Sequence, residues 1–372
     1  MVIKTAIIGF GSLGRGSWFK EVKNHPDFEM VGVIDTDTEL LSNLHTVGMS
    51  EDDGFISIDD IVAFGTKPDL AIIATPIYTH HVLVKECMDL GVNVICEKNM
   101  ASTIYQGRQM VQCALDHPEL ATAVGTQYRY FHKNWNAHEF FTSKENTIGD
   151  ISFMRWESAG NWGEKRSGWR RWLAEIYLED MATHYFDLMR YITGMDIVQV
   201  KADTFIPKYS KWQGSSTVFC NVALAKPEDY KHRRNWVWCQ LYGDWQARGP
   251  GWNSFKFYCE KGQAKINELG FGLETLIYKD EEGHKYEEDG FITDKSIENL
   301  GTTRQGQGII LDMVKKSIES KGKYQPGTNF VEGFKSFCGS MAAIESSRTG
   351  QAVWVPKYWE DLPVYTDQNQ AI

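Results

Sequence analysis

Asp180 and His184 stand four residues apart in Glu179-Asp180-Met181-Ala182-Thr183-His184, a spacing that puts both side chains on one face of a helix. A carboxylate beside an imidazole favours the protonated ring and fixes its orientation, which suits general acid/base work. The same spacing also serves as an ordinary stabilising pair near a helix N-terminus, so the pair by itself leaves both readings open. A second group lies at the start of the chain, where Gly9-Phe10-Gly11-Ser12-Leu13-Gly14 has the spacing G-x-G-x-x-G. Gly9 permits a tight turn, Gly11 leaves room for a pyrophosphate, and Gly14 lets a helix sit close against the preceding strand. Free N–H groups and the positive end of that helix then face the phosphates. The next strand, Met30 to Ile34, ends in Asp35, 21 residues after Gly14. A carboxylate at that tip accepts hydrogen bonds from an adenosine ribose and repels a 2′-phosphate, so the expected cofactor is NAD rather than NADP.

These residues need elements to hold them. The apolar run Val2 to Ile8 reads as a strand and Ser12 to Val22 as a helix. Further strands are expected over Ile56 to Ile58, Leu70 to Ala74, Val92 to Cys96 and Ala121 to Gly125, with helices over Thr36 to Asn43, Asp59 to Phe64, His80 to Leu90 and Ser102 to Asp116. Strands alternating with helices predict an α/β unit with a doubly wound parallel sheet, a Rossmann domain over 1–126. Asp35, Thr75, Lys98 and Gln127 all fall just past strand ends, where such sheets bind ligands.

From about Tyr128 the rhythm changes. A helix is expected over Phe131 to Ser143, a strand over Ile151 to Trp156, and a helix over Glu179 to Thr193, stopped by Gly194. On that helix Tyr185 and Leu188 face the core, and Asp180, His184, Asp187 and Tyr191 form an adjacent polar stripe. Alternating runs over Ile197 to Phe205, Asn235 to Tyr242, Ser254 to Glu260, Ala264 to Asn267 and Glu274 to Tyr278 predict a large, mostly antiparallel sheet. Helices over Gly306 to Glu319 and Phe330 to Ser347, a last strand Ala352 to Val355 and a loose tail from Asp367 close an α+β domain, 127–372, for substrate binding and oligomerisation. In the loop between Trp162 and Trp172, Trp162, Trp169 and Trp172 alternate with Arg166, Arg170 and Arg171, which suits stacking on sugar rings or an interface.

Composition narrows the class. At 372 residues the chain exceeds one typical core, so two domains are expected, and 42% apolar residues suffice for both. A formal net charge of -10 argues against nucleic acid or an anionic membrane as partner. The N-terminal apolar run is short and flows into the glycine turn, unlike a signal peptide, and no run approaches the ~18 residues of a membrane span. Seven cysteines form no C-x-x-C pair, so reduced thiols in a cytoplasmic protein, without a metal site, are expected.

In its motifs the chain resembles the glucose-fructose oxidoreductase, inositol dehydrogenase and rhizopine-catabolism (Gfo/Idh/MocA) family. The resemblance is carried by Gly9 to Gly14, Val33-Ile34-Asp35, Ala74-Thr75-Pro76 with His80, Val94-Ile95-Cys96-Glu97-Lys98, Gly125 to Arg129 and Asp180-Met181-Ala182-Thr183-His184. It implies an NAD-dependent enzyme that moves a hydride between nicotinamide and a secondary alcohol or ketone of a sugar, polyol or related cyclic compound. Lys98 is implied to orient the reacting hydroxyl, Asp180 to bind a substrate hydroxyl and His184 to transfer the proton. Phe10, Ser12, Leu13, Thr75, Pro76, His80, Glu97, Lys98 and Gln127 join the glycines and Asp35 around the cofactor. His80 and Glu97 also read as packing and structural residues. Two positions depart from the family: Asn99 stands where proline is usual, making a cis peptide after Lys98 costly by ~3 kcal/mol, and Ala174 to Glu179 replaces a glycine-rich turn.

Two rivals remain open at this level. One is an enzyme that uses tightly bound NAD transiently for elimination or hydrolysis of a sugar derivative; the other is a non-catalytic NAD and sugar sensor. Lys98, Asp180 and His184 together speak against a sensor, which has no need of a proton-transfer group. A sheet face left uncovered by helices predicts a homodimer or homotetramer.

Overall fold

The computed structural model describes residues 2–144, 146–162, 168–266, 273–278, 286–292 and 304–362. The chain divides into two compact units, one built from Met1–Gln127 with Arg304–Phe334 and the other from Tyr128–Thr303 with Lys335–Asp361. Arg166, Asn267 and the tail expected from Asp367 lie outside the described residues.

The first unit is built on a parallel sheet. Its strands are β1 (Ile3–Ile8), β2 (Phe28–Ile34), β3 (Gly54–Phe55), β4 (Leu70–Ile73), β5 (Asn93–Cys96) and β6 (Thr122–Val124), in the order β3-β2-β1-β4-β5-β6. The direction of winding reverses between β1 and β4, the switch point where such sheets take ligands. Every residue of β4, β5 and β6 is buried, which explains their nearly unbroken apolar runs. Asn93 is a polar member of β5, and its side chain joins neighbouring strand entries: Nδ2 donates to the Asp69 carbonyl at 2.7 Å and Oδ1 accepts from the Ala121 amide at 2.7 Å. The helices between strands are α1 (Phe19–Asn24), α2 (Thr38–Leu41), α3 (Ile58–Ala63), α4 (His80–Asp89) and α5 (Ile104–Asp116). Side-chain caps start three of them, from Asp37, Ser57 and Thr103. The strand expected over Ile56 to Ile58 falls two residues earlier, because Ser57 caps α3 in a reciprocal box with Asp60.

In the second unit, α6 (His132–Thr142) and α7 (Ala182–Thr193) pack together beside a nine-stranded sheet. Its strands are β7 (Ile151–Ala159), β8 (Asp196–Phe205), β9 (Thr217–Ala225), β10 (Val237–Asp244), β11 (Trp252–Cys259), β12 (Gly262–Ile266), β13 (Leu273–Tyr278), β14 (Tyr286–Ile292) and β15 (Val353–Trp354). Their order is β14-β13-β12-β11-β7-β10-β9-β8-β15. Neighbours β7 and β10 run parallel, and the others are antiparallel. The sheet is therefore mixed and mostly antiparallel. Trp156, Phe255 and Phe257 are buried against its inner face. Phe219 is exposed and stacks between the exposed Phe205 and the half-buried Tyr242.

Two late helices follow, α8 (Gln307–Glu319) and α9 (Phe330–Thr349). Residues 304–334 belong to the first unit, whereas the sequence reading puts everything after 126 in the second domain. The cause is β6, the edge strand of the parallel sheet, whose backbone needs partners. The Val124 amide donates to the Thr328 carbonyl at 2.7 Å and the Phe330 amide to Thr122 Oγ1 at 3.3 Å. Lys315 of α8 adds an ion pair to Asp27 at 2.8 Å, and Asp312 hydrogen-bonds His25 at 3.0 Å. Among the described residues no helix is long and apolar enough to cross a membrane.

A buried ion pair holds α7. Arg129 donates through Nε and Nη2 to the two carboxylate oxygens of Asp187, both at 2.6 Å. Ser336 Oγ donates to Asp187 at 2.7 Å and accepts from Arg190 at 2.9 Å. Asp187, expected in a polar stripe, is thus an interior residue. Removing one partner of a buried pair strands the other charge, so Asp187→Ala is expected to lower the unfolding free energy by about 3–5 kcal/mol in urea titrations. In the same titrations Ser336→Ala, which deletes hydrogen bonds but no charge, is expected to cost about 1–3 kcal/mol.

Candidate active site

In the first unit the glycine turn leaves β1 as the spacing predicts. Gly9 has φ +92°, a conformation that side chains disfavour. A Cβ on Gly14 would lie 2.1 Å from the Gly9 carbonyl oxygen, while one on Gly11 meets nothing within 4 Å. Close packing and open space therefore fall on the glycines that a dinucleotide cradle requires. A cleft of about 790 Å³ opens here, lined by Phe10, Gly11, Ser12, Arg15, Lys20 and Lys23 among others. The helix after the turn differs from the uniform one expected from Ser12: Gly14–Trp18 is a wider π-helical turn that passes into α1.

Asp35 closes the turn from the side. Its Oδ2 accepts from the Phe10 amide at 2.7 Å and its Oδ1 from the Asp37 amide at 3.0 Å. The carboxylate at the strand tip is thereby aimed by the backbone of the glycine loop. These features fit NAD: open space over Gly11 for the pyrophosphate and a carboxylate beside it for the ribose.

Lys98 follows β5 and is half-buried. The peptide bond from Lys98 to Asn99 is cis, although Asn99 replaces the proline that would favour that isomer. Two side chains expected near the cofactor are buried supports of this loop. Glu97, 2% exposed, accepts from the Trp18 indole at 2.8 Å and from the Lys98 amide at 3.1 Å. His80 is equally enclosed, with Nε2 3.0 Å from the Thr75 carbonyl and Nδ1 3.0 Å from the Asn99 carbonyl. Burial pushes the His80 pKa down, and the carbonyls only partly offset it. A neutral ring donates from one nitrogen, so His80 ties one of the two loops and packs against the other. Thr75 Oγ1 pairs with Thr79 at 2.7 Å, Pro76 accepts from the Thr79 hydroxyl through its carbonyl at 2.8 Å, and Gln127 is buried after β6.

Asp180 and His184 lie in the second unit. Tyr177–Met181 forms a π-helical turn from which α7 continues, so the uniform α-helix expected from Glu179 is replaced by a wider first turn. Both side chains are interior, Asp180 at 1% and His184 at 3% exposure, rather than on a polar stripe. Asp180 accepts from Arg170 Nε at 2.9 Å, and Arg170 in turn lies 4.6 Å over the Trp169 ring. The loop of alternating tryptophans and arginines therefore supplies a partner of Asp180.

His184 stacks on Tyr128, with ring centroids 3.9 Å apart and planes at 6°. Tyr128 and Arg129 are adjacent in sequence, and they grip His184 and Asp187, which are three apart on α7. Such residues share a helix face. Sequence reasoning misses Tyr128, because an aromatic after a strand carries no local signal of what it will stack on. Beside it lies a cavity of about 740 Å³ within this unit, reached also by Met181, Tyr185 and Leu188 of the π-helical turn and α7. Tyr185 hydrogen-bonds Ser158 and, at 3.4 Å, Asn253.

Comparison with known proteins follows the same division. Residues 3–125 match the oxidoreductase family with an NAD-binding Rossmann fold, and residues 143–265 match the GFO/IDH/MocA C-terminal domain. Among solved structures, levoglucosan dehydrogenase in complex with NADH and L-sorbose has a TM-score of 0.78 at 17% identity, covering 96% of this chain and 100% of that one. The myo-inositol 2-dehydrogenase of Lactobacillus plantarum has a TM-score of 0.74 at 19% identity, covering 95% and 99%. A putative UDP-kanosamine synthase oxidoreductase subunit of Amycolatopsis mediterranei (strain S699) is 27% identical over 99 residues, 26% of either chain. With both family models matched in order along its length, the chain belongs to the Gfo/Idh/MocA family of NAD-binding oxidoreductases.

Proposed function

We propose that this oxidoreductase interconverts a secondary alcohol and its ketone on a sugar, polyol or related cyclic compound. The observation that carries this reading is His184, an imidazole enclosed under the Tyr128 ring, which itself borders a large cavity. The named substrates and ligands of the similar dehydrogenases, myo-inositol and L-sorbose, are of the same kind. Gly9 to Gly14, Asp35, Thr75, Pro76 and Gln127 hold NAD, which when bound supplies the hydride acceptor. Lys98 orients the reacting hydroxyl with its ammonium, and Glu97 and His80 fix the loop that carries it. His184 takes the hydroxyl proton on an imidazole nitrogen as the C–H bond breaks and the carbonyl forms. Asp180, tied to Arg170, binds a neighbouring substrate hydroxyl. In this reading the first unit serves the cofactor and the second serves substrate binding and self-association.

The aromatic row of Phe205, Phe219 and Tyr242 on one sheet face supports a homodimer or homotetramer formed through that face. All seven cysteines are free, and burial raises the thiol pKa of Cys87 to about 12, in keeping with inert thiols in a reducing cytoplasm.

Four substitutions at three positions test the assignment by absorbance of NADH in a screen of sugars and polyols. His184→Ala is expected to bind NAD normally and to lose turnover by ~10²–10⁴-fold, with His184→Asn nearly as impaired. Because only a neutral imidazole accepts a proton, wild-type alcohol oxidation should rise with pH and His184→Asn should flatten that rise. Near wild-type turnover and an unchanged pH profile in His184→Asn would remove His184 from the mechanism. Lys98→Ala should lower turnover far more than cofactor affinity; normal turnover would show that the lysine does not reach the hydroxyl. Asp35→Ser should weaken NAD and relieve the exclusion of NADP, and a wild type that already prefers NADP would overturn the ribose assignment.

A further inference from the structure

We propose that the cavity of the second unit holds a second sugar ring, so that the preferred substrate is a disaccharide rather than a free monosaccharide. The inference rests on the reading of His184 given above and names the substrate class of that same site. Tyr128 links the two places, since its ring stacks on His184 at 3.9 Å and the residue also lines the cavity. A volume of about 740 Å³ falls within the roughly 300–1,000 Å³ that encloses a drug-sized ligand, more than one pyranose ring requires.

The walls have the chemistry of a sugar site. Trp162 and Trp252 line the cavity and keep 41% and 39% of their surface exposed, leaving aromatic area for the C–H face of a ring. Asn134 also lines the cavity, and its Nδ2 donates to the Tyr128 carbonyl at 2.8 Å, which fixes the backbone of the residue shared by the cavity and His184. Ser158 and Asn253 bring hydroxyl and amide groups to the same wall. Among the described residues Lys133 is the one charged side chain in the lining. Its ammonium offers three donors, which suits a polyhydroxylated ring.

The inference is tested by kcat/KM with NAD for maltose, cellobiose and lactose against glucose and galactose, in the wild type, Trp252→Ala and Trp162→Ala. At least one disaccharide should exceed its constituent monosaccharides by about tenfold, and either substitution should lower that ratio about tenfold through KM rather than kcat. Monosaccharides that match every disaccharide, a ratio that neither variant moves, or UDP-glucose preferred to all of them would overturn the inference while leaving the oxidoreductase reading intact. If no sugar is oxidised, calorimetric titration of the same sugars into the NAD-loaded protein decides. Disaccharide binding weakened by Trp252→Ala keeps the cavity assignment and counts against the oxidation of these sugars, whereas absence of binding rejects the cavity assignment.

Discussion

The grip of Tyr128 and Arg129 on one face of α7 is the constraint on which the second unit depends. A bidentate guanidinium–carboxylate pair has one favourable geometry, and Asp187 is fully buried, so α7 cannot slide or rotate without leaving an unpaired charge in the interior. His184, one turn earlier, inherits that fixity and is clamped by the Tyr128 ring. Enclosure makes a broken ion pair costly, and the same enclosure, with the Tyr128 ring stacked on it, holds the imidazole in one orientation. Thr183 pairs with Ser340 at 2.9 Å, which secures the first turn of α7 through a neighbouring residue.

The first unit solves a similar problem with carboxylates. Asp35 and Glu97 each accept from a backbone amide of the loop they support, Phe10 and Lys98 respectively. Charge-assisted bonds of this kind are stronger than neutral ones, so the loops at the strand tips are held by side chains from the strand ends themselves. Trp18, on the π-helical turn after the glycine loop, reaches Glu97 with its indole N–H. The π-helical turn after the glycine loop and the Lys98 loop therefore share one buried carboxylate as hydrogen-bond acceptor.

Tight packing and open space sit side by side on α7. Its gripped face carries His184 and Asp187, while Tyr185 and Leu188 border the cavity. The two adjoin, since Leu188 lies one turn after His184 on the same helix face and Tyr128 both stacks on His184 and lines the cavity. The half-exposed rings of Trp162 and Trp252 line that space, and they are the surfaces on which the proposed second ring would stack.

Much of the architecture was legible in the sequence because its signals are local. Unbroken apolar runs such as Leu70 to Ala74 can be satisfied only in a sheet covered on both faces, and the glycine spacing at Gly9, Gly11 and Gly14 dictates a turn of one shape. Asp35, Lys98 and His184 stand out by position after a strand or within a recognisable motif. Other features depend on residues far apart in sequence, and no local pattern carries them. The attachment of residues 304–334 to the first unit follows from the unsatisfied edge of β6. The interior placement of Asp180 and Asp187 follows from the guanidinium groups of Arg170 and Arg129, which reach them from separate segments. The cavity exists because residues of β7, β11, α6 and α7 meet around it. Periodicity in the sequence determined which face of each element is apolar; only the packed chain decided which buried charge finds a partner and where space is left over, because both depend on segments that meet in three dimensions and not along the chain.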